Sequence, residues 1–309
     1  MELHFIFNPC ACHGKSIHLM NRVERYLKWH KIKYNMHRTQ YAGHATEIAA
    51  KLTANKNRKV HIFSIGGDGT ANEVLNGIDN FENTIMSIIP AGSGNDFVKN
   101  FKADYKDPIR TLKRQLENES KWKYTDFIDV NDKVRCINVL GCGIDTDILE
   151  RYNAKKWFSA RTRYKMATIE KVLVFSVHDV SFKKDNNKGF IDREVIVFLV
   201  GNGNVFGGSI ITNEHSKIDD GLLTITYLRK FPRAKTIQYM TLMLKHGVLK
   251  IKWVTKKLKF VAECYIFYLV FFFKIIVSAE QPKAQGTIEK VFEIPSAAYL
   301  NGILATLHN

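Results

Sequence analysis

Two hydrophobic patterns alternate along the N-terminal third of the chain. Short runs of apolar residues predict strands at residues 3–7, 33–37, 60–65 and 84–89. Between these runs, apolar residues return at helical spacing and predict helices at residues 16–31, 45–52 and 71–78. Because strands and helices alternate, the pattern predicts an α/β domain whose parallel sheet carries helices on both faces.

The pattern changes after residue 125, where strand-like segments follow one another. Strands are predicted at residues 124–130, 135–140, 172–182, 194–201 and 222–228, and helical spacing returns near residues 151–168 and 232–249. Gly, Asn and Asp mark several of the connecting turns, as in an antiparallel sheet. We therefore expect two domains, an α/β domain over residues 1–125 and a β-rich domain over residues 126–309. Whether the last residues return to the first domain is left open.

A long aromatic and β-branched run occupies residues 260–277. Glu263 and Lys274 interrupt it, which leaves about ten consecutive apolar residues, too few to span a bilayer. The run is therefore expected to be a buried strand, with an interfacial face as the alternative. The N-terminal segment resembles a short strand and lacks the basic leader of a signal peptide, which favours a cytoplasmic protein.

Composition adds one strong signal, a surplus of positive charge. The chain has 309 residues, of which 45% are hydrophobic and 25% charged, so it is globular rather than disordered. Its formal net charge of +16 favours a polyanionic partner, although scattered surface lysines are the alternative. The five cysteines are odd in number and irregularly spaced, which argues against a disulfide framework.

Two glycine-rich loops follow neighbouring predicted strands: GGDGT at residues 66–70 and PAGSGNDF at residues 90–97. Glycine after a strand can adopt positive φ, and consecutive N–H groups beside a helix N-terminus bind anions. Because ligands bind at the carboxyl ends of parallel strands, the pair predicts a phosphorylated ligand. Neither loop has the Walker A or GxGxxG pattern, and a tight connection without a ligand is the alternative.

Polar side chains in the two loops have predicted roles of their own. Thr70 or Asn72 is expected to cap the helix that follows the first loop. Ser93, Asn95 and Asp96 are expected to contact the ligand from the second loop.

Asp68 is unusual because a carboxylate among anion-binding amides repels a phosphate unless a cation lies between them. We therefore predict Mg²⁺ beside Asp68, with a simple turn-forming or capping role as the alternative. A third cluster, NPCACHGKS at residues 8–16, also follows a strand. Its Gly14-Lys15-Ser16 segment is expected to open a helix and to offer an amine to a phosphate.

In this order along the chain, the motifs resemble those of the bacterial diacylglycerol kinase and lipid kinase family, which is related to sphingosine and ceramide kinases. NPCACHGK is similar to the family's NPxAGxGK, with Cys12 in place of a glycine, and TQYAGHA at 39–45 to its TxxxGHA. GGDGTANEV at 66–74 and PAGSGNDF resemble its most specific signatures. The resemblance continues through NVLGCGIDTDI at 138–148, GNGNVFGGS at 201–209 and KIDDGLL at 217–223.

The resemblance implies an N-terminal α/β domain like that of NAD kinases and phosphofructokinases, and a β-sandwich second domain. It implies ATP as phosphoryl donor, and Mg²⁺ held by the side chain of Asp220 and the carbonyls of Lys217 and Leu222. The residues implied for ATP are Asn8, Pro9, Cys10, Ala11, Cys12, Thr39, Gly66, Gly67, Asp68, Gly69, Thr70, Ala71, Asn72 and Ser93.

Catalysis in the family uses a glutamate that takes the proton of a lipid hydroxyl. The corresponding stretch here, VSAEQPKA at residues 277–284, keeps Glu280, but Ser278 and Ala279 replace an acidic residue and a glycine. Glu280 is therefore the expected general base, with Asp68 acting through Mg²⁺ as the second catalytic residue. The alternative is an exposed turn at Glu280, with the base elsewhere or catalysis impaired.

The resemblance implies a membrane lipid as acceptor, with phosphatidate as product if that lipid is diacylglycerol. The basic surplus then predicts peripheral contact with an anionic membrane surface, for which residues 151–165 are one candidate and a core-facing helix the alternative. No nucleic-acid-binding motif is present, and a homodimer is left open. The rival functions are a kinase of a soluble acceptor such as NAD and a catalytically weak nucleotide- or lipid-binding homologue.

Overall fold

The computed structural model describes residues 1–101, 106–117, 124–130, 133–144, 147–148, 151, 166–167, 170–171, 174, 176–183, 190–207, 210–211, 216–229 and 262–266. The chain forms two compact units, the first running from Met1 to Ile137 and the second beginning at Asn138. The helix predicted at 232–249 and most of the helix predicted at 151–168 lie outside the described residues.

The first unit contains a four-stranded parallel sheet in the order β2-β1-β3-β4. Its strands are β1 (Glu2–Phe7), β2 (Asn35–Arg38), β3 (Val60–Gly66) and β4 (Thr84–Pro90). Its helices are α1 (Lys15–Trp29), α2 (His44–Thr53), α3 (Asp68–Asn76) and α4 (Pro108–Glu117). The predicted parallel α/β architecture is confirmed.

Two hydrophobic clusters hold the helices against this sheet, one on each face. The first joins Phe5, Phe7, Phe63, Ile65 and Ile89 of the strands to Leu19, Val23 and Leu27 of α1 and Leu112 of α4. The second joins Ile6, Val60 and Ile62 to Ala45 and Ala49 of α2 and Val74 of α3. The alternation of side chains along each strand therefore places α1 and α4 on one face and α2 and α3 on the other.

The second unit contains an antiparallel sheet, as the sequence predicts. It is built from β7 (Val139–Gly143), β8 (His178–Lys183), β9 (Phe190–Gly201), β12 (Thr224–Arg229) and β13 (Ala262–Ile266). The long strand β9 pairs with β12 on one side and with both β7 and β8 on the other. A small hairpin joins β10 (Val205–Phe206) to β11 (Ile210–Ile211). β13 confirms part of the strand predicted within residues 260–277.

The first unit extends past residue 125 through an antiparallel hairpin of β5 (Ile128–Val130) and β6 (Val134–Cys136). The sequence pattern predicts one strand at 135–140, whereas the chain forms β6 and then β7, with the change of unit between them. The physical reason is that Arg135 is bound to the C-terminal end of α3, where its Nη1 donates to the Ile78 carbonyl at 2.7 Å. This bond keeps β6 with the first unit.

None of the helices in the described part of the chain has the length and apolarity needed to cross a lipid bilayer.

Gly77 allows α2 and α3 to pack closely. It has an ordinary φ of −89°, but a Cβ there would lie 2.8 Å from the Cβ of Ala49 and would overlap the Thr46 carbonyl oxygen. We expect Gly77→Ala to lower the free energy of unfolding by about 2 kcal/mol, because overpacking forces the helices apart.

Urea unfolding measures this difference, and Gly43→Ala is the control. Gly43 has a φ of +85° and open space around it, so its substitution adds only backbone strain of about 1 kcal/mol. Equal losses in the two variants would contradict the packing explanation.

Candidate functional site

The four parallel strands end at one edge of the first sheet, and each is followed by a predicted site segment. Backbone hydrogen bonds connect these segments across neighbouring strands. The Asn8 N–H donates to the Ile65 carbonyl at 3.0 Å, and the Thr39 N–H to the Phe7 carbonyl at 2.9 Å. The Ala91 N–H donates to the Gly66 carbonyl at 2.8 Å. The residues implied for ATP after β1, β2, β3 and β4 therefore belong to one connected set of loops.

Three glycines of the two signature loops, Gly66, Gly67 and Gly92, are required by close packing rather than by positive φ. Gly66, Gly67 and Gly92 all have ordinary φ values, which corrects the expectation from sequence. A Cβ on Gly67 would lie 3.1 Å from the Gly92 Cα, and a Cβ on Gly92 would overlap Gly67. A Cβ on Gly66 would meet the Thr70 side chain. The two loops touch backbone to backbone, and a side chain at their contact would separate them.

Helix α3 begins earlier than the sequence pattern predicts, at Asp68 rather than Ala71. Gly67 precedes it, and no side chain caps the helix, so the predicted cap by Thr70 or Asn72 is wrong. Thr70 lies inside the first turn, where its Oγ1 accepts a hydrogen bond from Asn8 Nδ2 at 3.1 Å. The first N–H groups of a helix have no intrahelical acceptor, so this N-terminus between the loops is suited to an anion.

Asp68 connects the first loop to the second. Its Oδ1 accepts a hydrogen bond from the Phe97 N–H at 3.0 Å. Burial raises the pKa of the Asp68 carboxyl, although this bond and one from the Asp96 backbone act in the opposite direction. Asp68 therefore carries a partly buried charge at the N-terminal turn of α3, where a positively charged group would stabilise it.

The loop after β4 is held by its own side chains. Asn95, which has a φ of +51°, accepts a hydrogen bond from the Gly92 N–H at 2.9 Å and donates to the Gly92 carbonyl at 2.8 Å. Asp96 accepts a bond from Lys99 Nζ at 2.7 Å. Asn95 and Asp96 thus have structural roles within the loop, and their contacts to a ligand stay a prediction, whereas Ser93 is exposed at its tip.

The loop after β1 is fixed by Asn8 and Ser16. Asn8 Oδ1 accepts a hydrogen bond from the Cys10 N–H at 2.9 Å, and Ser16 Oγ donates to the Asn8 carbonyl at 2.8 Å. Cys12 has a φ of +50°, a backbone conformation that glycine adopts without strain. This explains why the family pattern has glycine at the position that Cys12 occupies here. The side chain of Lys15 lies outside what the structure describes.

Asn72, in the second turn of α3, gains a role that the sequence does not reveal. Asn72 Nδ2 donates to the Arg135 carbonyl at 3.0 Å, and Asn72 Oδ1 accepts from the Ile137 N–H at 3.0 Å. The Asn72 amide therefore uses both of its ends to bind residues more than sixty positions away in sequence. No local pattern signals such a contact.

The predicted Mg²⁺ ligands lie in a turn of the second unit. Asp220 Oδ1 accepts a hydrogen bond from the Leu222 N–H at 3.1 Å, and Gly221 between them has a φ of +70°. The side chains of Lys217 and Asp220 are exposed. A carboxylate with backbone carbonyls is the kind of oxygen set that Mg²⁺ prefers, so the chemistry of this turn fits the ion. Among the described residues, no group of three or more His, Cys, Asp or Glu side chains offers another metal site.

Glu280, the expected general base, lies outside the described residues together with Ser278 and Ala279.

Comparison with protein families gives two matches in succession along the chain. Residues 2–123 match the diacylglycerol kinase catalytic domain. Residues 138–256 match the YegS C-terminal NAD kinase beta sandwich-like domain. Both matches agree with the architecture described above, a parallel α/β unit followed by a β-rich unit.

Individual relatives are similar at modest identity. YtlR of Bacillus subtilis (strain 168), which its name places among lipid kinases, is 30% identical over 46% of this chain and 47% of its own length. A relative from Staphylococcus carnosus (strain TM300) with a lipid kinase name is 31% identical over 60% of each chain. The chain thus spans about half to three fifths of these two relatives. The diacylglycerol kinase of Bacillus subtilis (strain 168) is 27% identical over 78% of both chains.

Solved structures give the same result for the fold. The crystal structure of a diacylglycerol kinase from Bacillus anthracis str. Sterne superposes with a TM-score of 0.57 at 22% identity, covering 78% of this chain and 77% of that one. The two successive family matches identify residues 2–123 as a diacylglycerol kinase catalytic domain and residues 138–256 as a YegS C-terminal NAD kinase beta sandwich-like domain, and the solved structure agrees with them in fold.

Proposed function

We propose that the protein is an ATP-dependent lipid kinase that phosphorylates the hydroxyl of diacylglycerol, or of a similar lipid, to give phosphatidate or its analogue. The observation that carries this proposal is the N-terminus of α3, which lies between two loops in backbone contact at the carboxyl edge of the sheet. Such an N-terminus stabilises negative charge, and a nucleotide triphosphate is the anion that a kinase must hold.

In this proposal the triphosphate of ATP lies on the amides of Gly67, Asp68 and Gly69. The loop segments Asn8–Cys12 and Ser93 border it, and Thr39 lies after the neighbouring strand. When bound beside Asp68, Mg²⁺ would neutralise charge on the phosphoryl group. Within the second unit, the turn of Lys217, Asp220 and Leu222 has the oxygen ligands to hold a Mg²⁺ ion. Asp68 keeps the second loop in place and adds the negative charge that favours a cation over a bare phosphate.

An alcohol is a poor nucleophile while it keeps its proton, so the acceptor hydroxyl requires a base. Glu280 is the residue that we propose for this step, because it is the carboxylate retained in the stretch that corresponds to the family's glutamate turn. The changes at Ser278 and Ala279 favour one alternative, a homologue that binds nucleotide or lipid but transfers phosphate weakly.

The direct test is transfer of radiolabelled phosphate from ATP to diacylglycerol, sphingosine and NAD, offered separately. We expect transfer to diacylglycerol, and a loss of roughly 10² to 10³ in kcat for Asp68→Asn and for Glu280→Gln, because each removes a charged group from the reacting centre. Asp79→Asn is the matched control, since Asp79 is exposed just beyond α3.

The outcomes separate the candidate functions. Transfer to NAD alone would show a kinase of a soluble acceptor, and nucleotide binding without transfer to any acceptor would show the weak homologue. Full activity of Glu280→Gln would place the general base elsewhere.

The raised pKa of Asp68 predicts that Asp68→Asn gains thermal stability although it loses activity. Because burial raises the folded-state pKa above its unfolded value, ionised Asp68 reduces stability, and the reduction grows as pH rises through the interval between the two values. Asp68→Asn keeps an oxygen for the Phe97 N–H and removes the charge. We expect the variant to unfold at a higher temperature than the wild type at pH 7.5.

The difference should shrink as the pH falls below about 4, where the unfolded carboxyl is itself protonated. Thermal unfolding followed by circular dichroism at several pH values measures it, with Asp79→Asn as the control. A variant less stable than the wild type at pH 7.5 would show that the carboxylate is stabilised by its surroundings.

The acceptor lies in a bilayer, so we propose peripheral contact with an anionic membrane surface on the cytoplasmic side. The support is the net charge of +16 and a row of exposed cations on α1, at Arg22, Arg25 and Lys28. Each well-placed cation contributes about 1 kcal/mol at such a surface. The other candidate, residues 151–165, lies largely outside the described residues.

We expect the purified protein to sediment with vesicles that contain phosphatidylserine and to be released at about 0.5 M salt, where screening acts within a few ångströms. Vesicles of phosphatidylcholine alone are the control. Binding that is equal on both vesicles, or that survives high salt, would contradict an electrostatic contact.

A further inference from the structure

Arg135 connects β6 to the helix that carries the candidate nucleotide site. Its Nη1 donates to the carbonyls of Leu75 at 3.3 Å and Ile78 at 2.7 Å, at the C-terminal end of α3. Its guanidinium lies 4.9 Å from the centre of the Phe81 ring and 5.8 Å from that of Phe127. Two carbonyl acceptors and two aromatic rings fix the orientation of this side chain.

The backbone of Arg135 and its neighbour is held by two asparagines of α3. The Arg135 N–H donates to Asn76 Oδ1 at 2.8 Å, and the Arg135 carbonyl accepts from Asn76 Nδ2 at 2.7 Å. The same carbonyl accepts from Asn72 Nδ2, and Asn72 Oδ1 accepts from the Ile137 N–H, both at 3.0 Å. The side chains of Asn72 and Asn76 thus bind backbone N–H and C=O groups of residues 135–137, as the backbone of a neighbouring strand does in a sheet.

Spacing along α3 connects this contact to the phosphate end of the helix. Asp68, Asn72 and Asn76 follow one another at intervals of four residues, so they lie along one side of the helix. Asp68 binds the loop after β4, whereas the two asparagines bind the segment around Arg135. Because a helix is rigid over two turns, the position of its first-turn amides depends on the hydrogen bonds that Asn72 and Asn76 make further along the helix.

The segment that α3 holds is also the point where the chain leaves the first unit. The N-terminal stretch of that unit ends at Ile137, and Asn138 is the first residue of the second unit. Within the second unit, the Asn138 carbonyl accepts hydrogen bonds from Asn202 N–H at 2.8 Å and Gly203 N–H at 3.1 Å. Asn138 Nδ2 donates to the Val205 carbonyl at 2.8 Å. Two successive residues are thus anchored, one in each unit.

We infer that Asn72 and Arg135 are positioning residues for phosphoryl transfer, and that Asn72 acts in this way rather than as a nucleotide ligand. Both ends of the Asn72 amide bind residues 135–137, the exit segment, and through α3 these bonds set where the first-turn amides lie. Transfer depends on placement of the reacting groups to within about an ångström. The inference rests on the proposed function, because it assigns these residues to that same reaction.

The test compares Asn72→Asp with the wild type in three measurements: nucleotide affinity by calorimetry with a non-hydrolysable ATP analogue and Mg²⁺, kcat with diacylglycerol, and thermal stability. The Asn72→Asp substitution keeps an acceptor for the Ile137 N–H and replaces the N–H donor facing the Arg135 carbonyl with an oxygen, which repels that carbonyl. We expect kcat to fall about tenfold or more, while the nucleotide Kd changes by less than about threefold.

Two further variants complete the design. Asn80→Asp is the matched control, because buried Asn80 donates a comparable bond to the Lys56 carbonyl, away from the exit segment. It is expected to keep the wild-type kcat at a similar cost in stability. Arg135→Lys is the milder second variant if Asn72→Asp does not fold, since it keeps the charge and loses the planar fork, and it should show the same fall in kcat with unchanged Kd.

Each result decides the matter. A nucleotide Kd that rises in step with the fall in kcat would make Asn72 a direct ligand and overturn the inference. An unchanged kcat, or an equal fall in Asn80→Asp, would show a structural role only. If the wild type itself neither binds nucleotide nor phosphorylates lipid, the proposed function fails and the positioning role fails with it. If the wild type is active and the two variants keep its kcat, the positioning role alone is overturned.

Discussion

The candidate site depends on one contact, the approach of two backbone segments at Gly67 and Gly92. Their closeness is possible because neither residue has a side chain, and the Ala91–Gly66 hydrogen bond extends the contact. The approach places the start of α3 at the edge of the sheet, where the helix dipole acts together with the first N–H groups, which have no acceptor within the helix. Main-chain atoms therefore shape the anion site, and such atoms move less than side chains do.

Two opposing effects act on the charge of Asp68 at the site. Asp68, in the first turn of α3, interacts favourably with the helix dipole and holds the Phe97 N–H, yet burial works against its ionisation. The Phe97 and Asp96 N–H groups and the charge of Lys99 offset the effect of burial on this carboxylate only in part. The carboxylate lowers the stability of the empty site and increases the attraction for a cation, a compromise that is common where function opposes stability.

The sequence predicts the fold of the first unit well because local periodicity and glycine turns determine it. The strands, the helices and the loops at their carboxyl ends all follow from residues within a few positions of one another. What it cannot show are contacts between distant residues, such as Asn72 with Arg135 and Ile137. For the same reason, the sequence does not show the packing role of Gly67. A glycine needed for a turn and a glycine needed for close backbone contact are the same letter in the sequence.

The contact of Gly67 with Gly92 has a consequence for how the family signature should be interpreted. A motif whose glycines are demanded by the shape of the main chain persists for as long as the domain folds, whatever becomes of its chemistry. A descendant that had lost turnover would still keep Gly66, Gly67 and Gly92, whereas folding would not require it to keep Asp68. Evidence of an active catalyst must therefore come from ionisable side chains that folding does not require, and not from the glycines by which the motif is recognised.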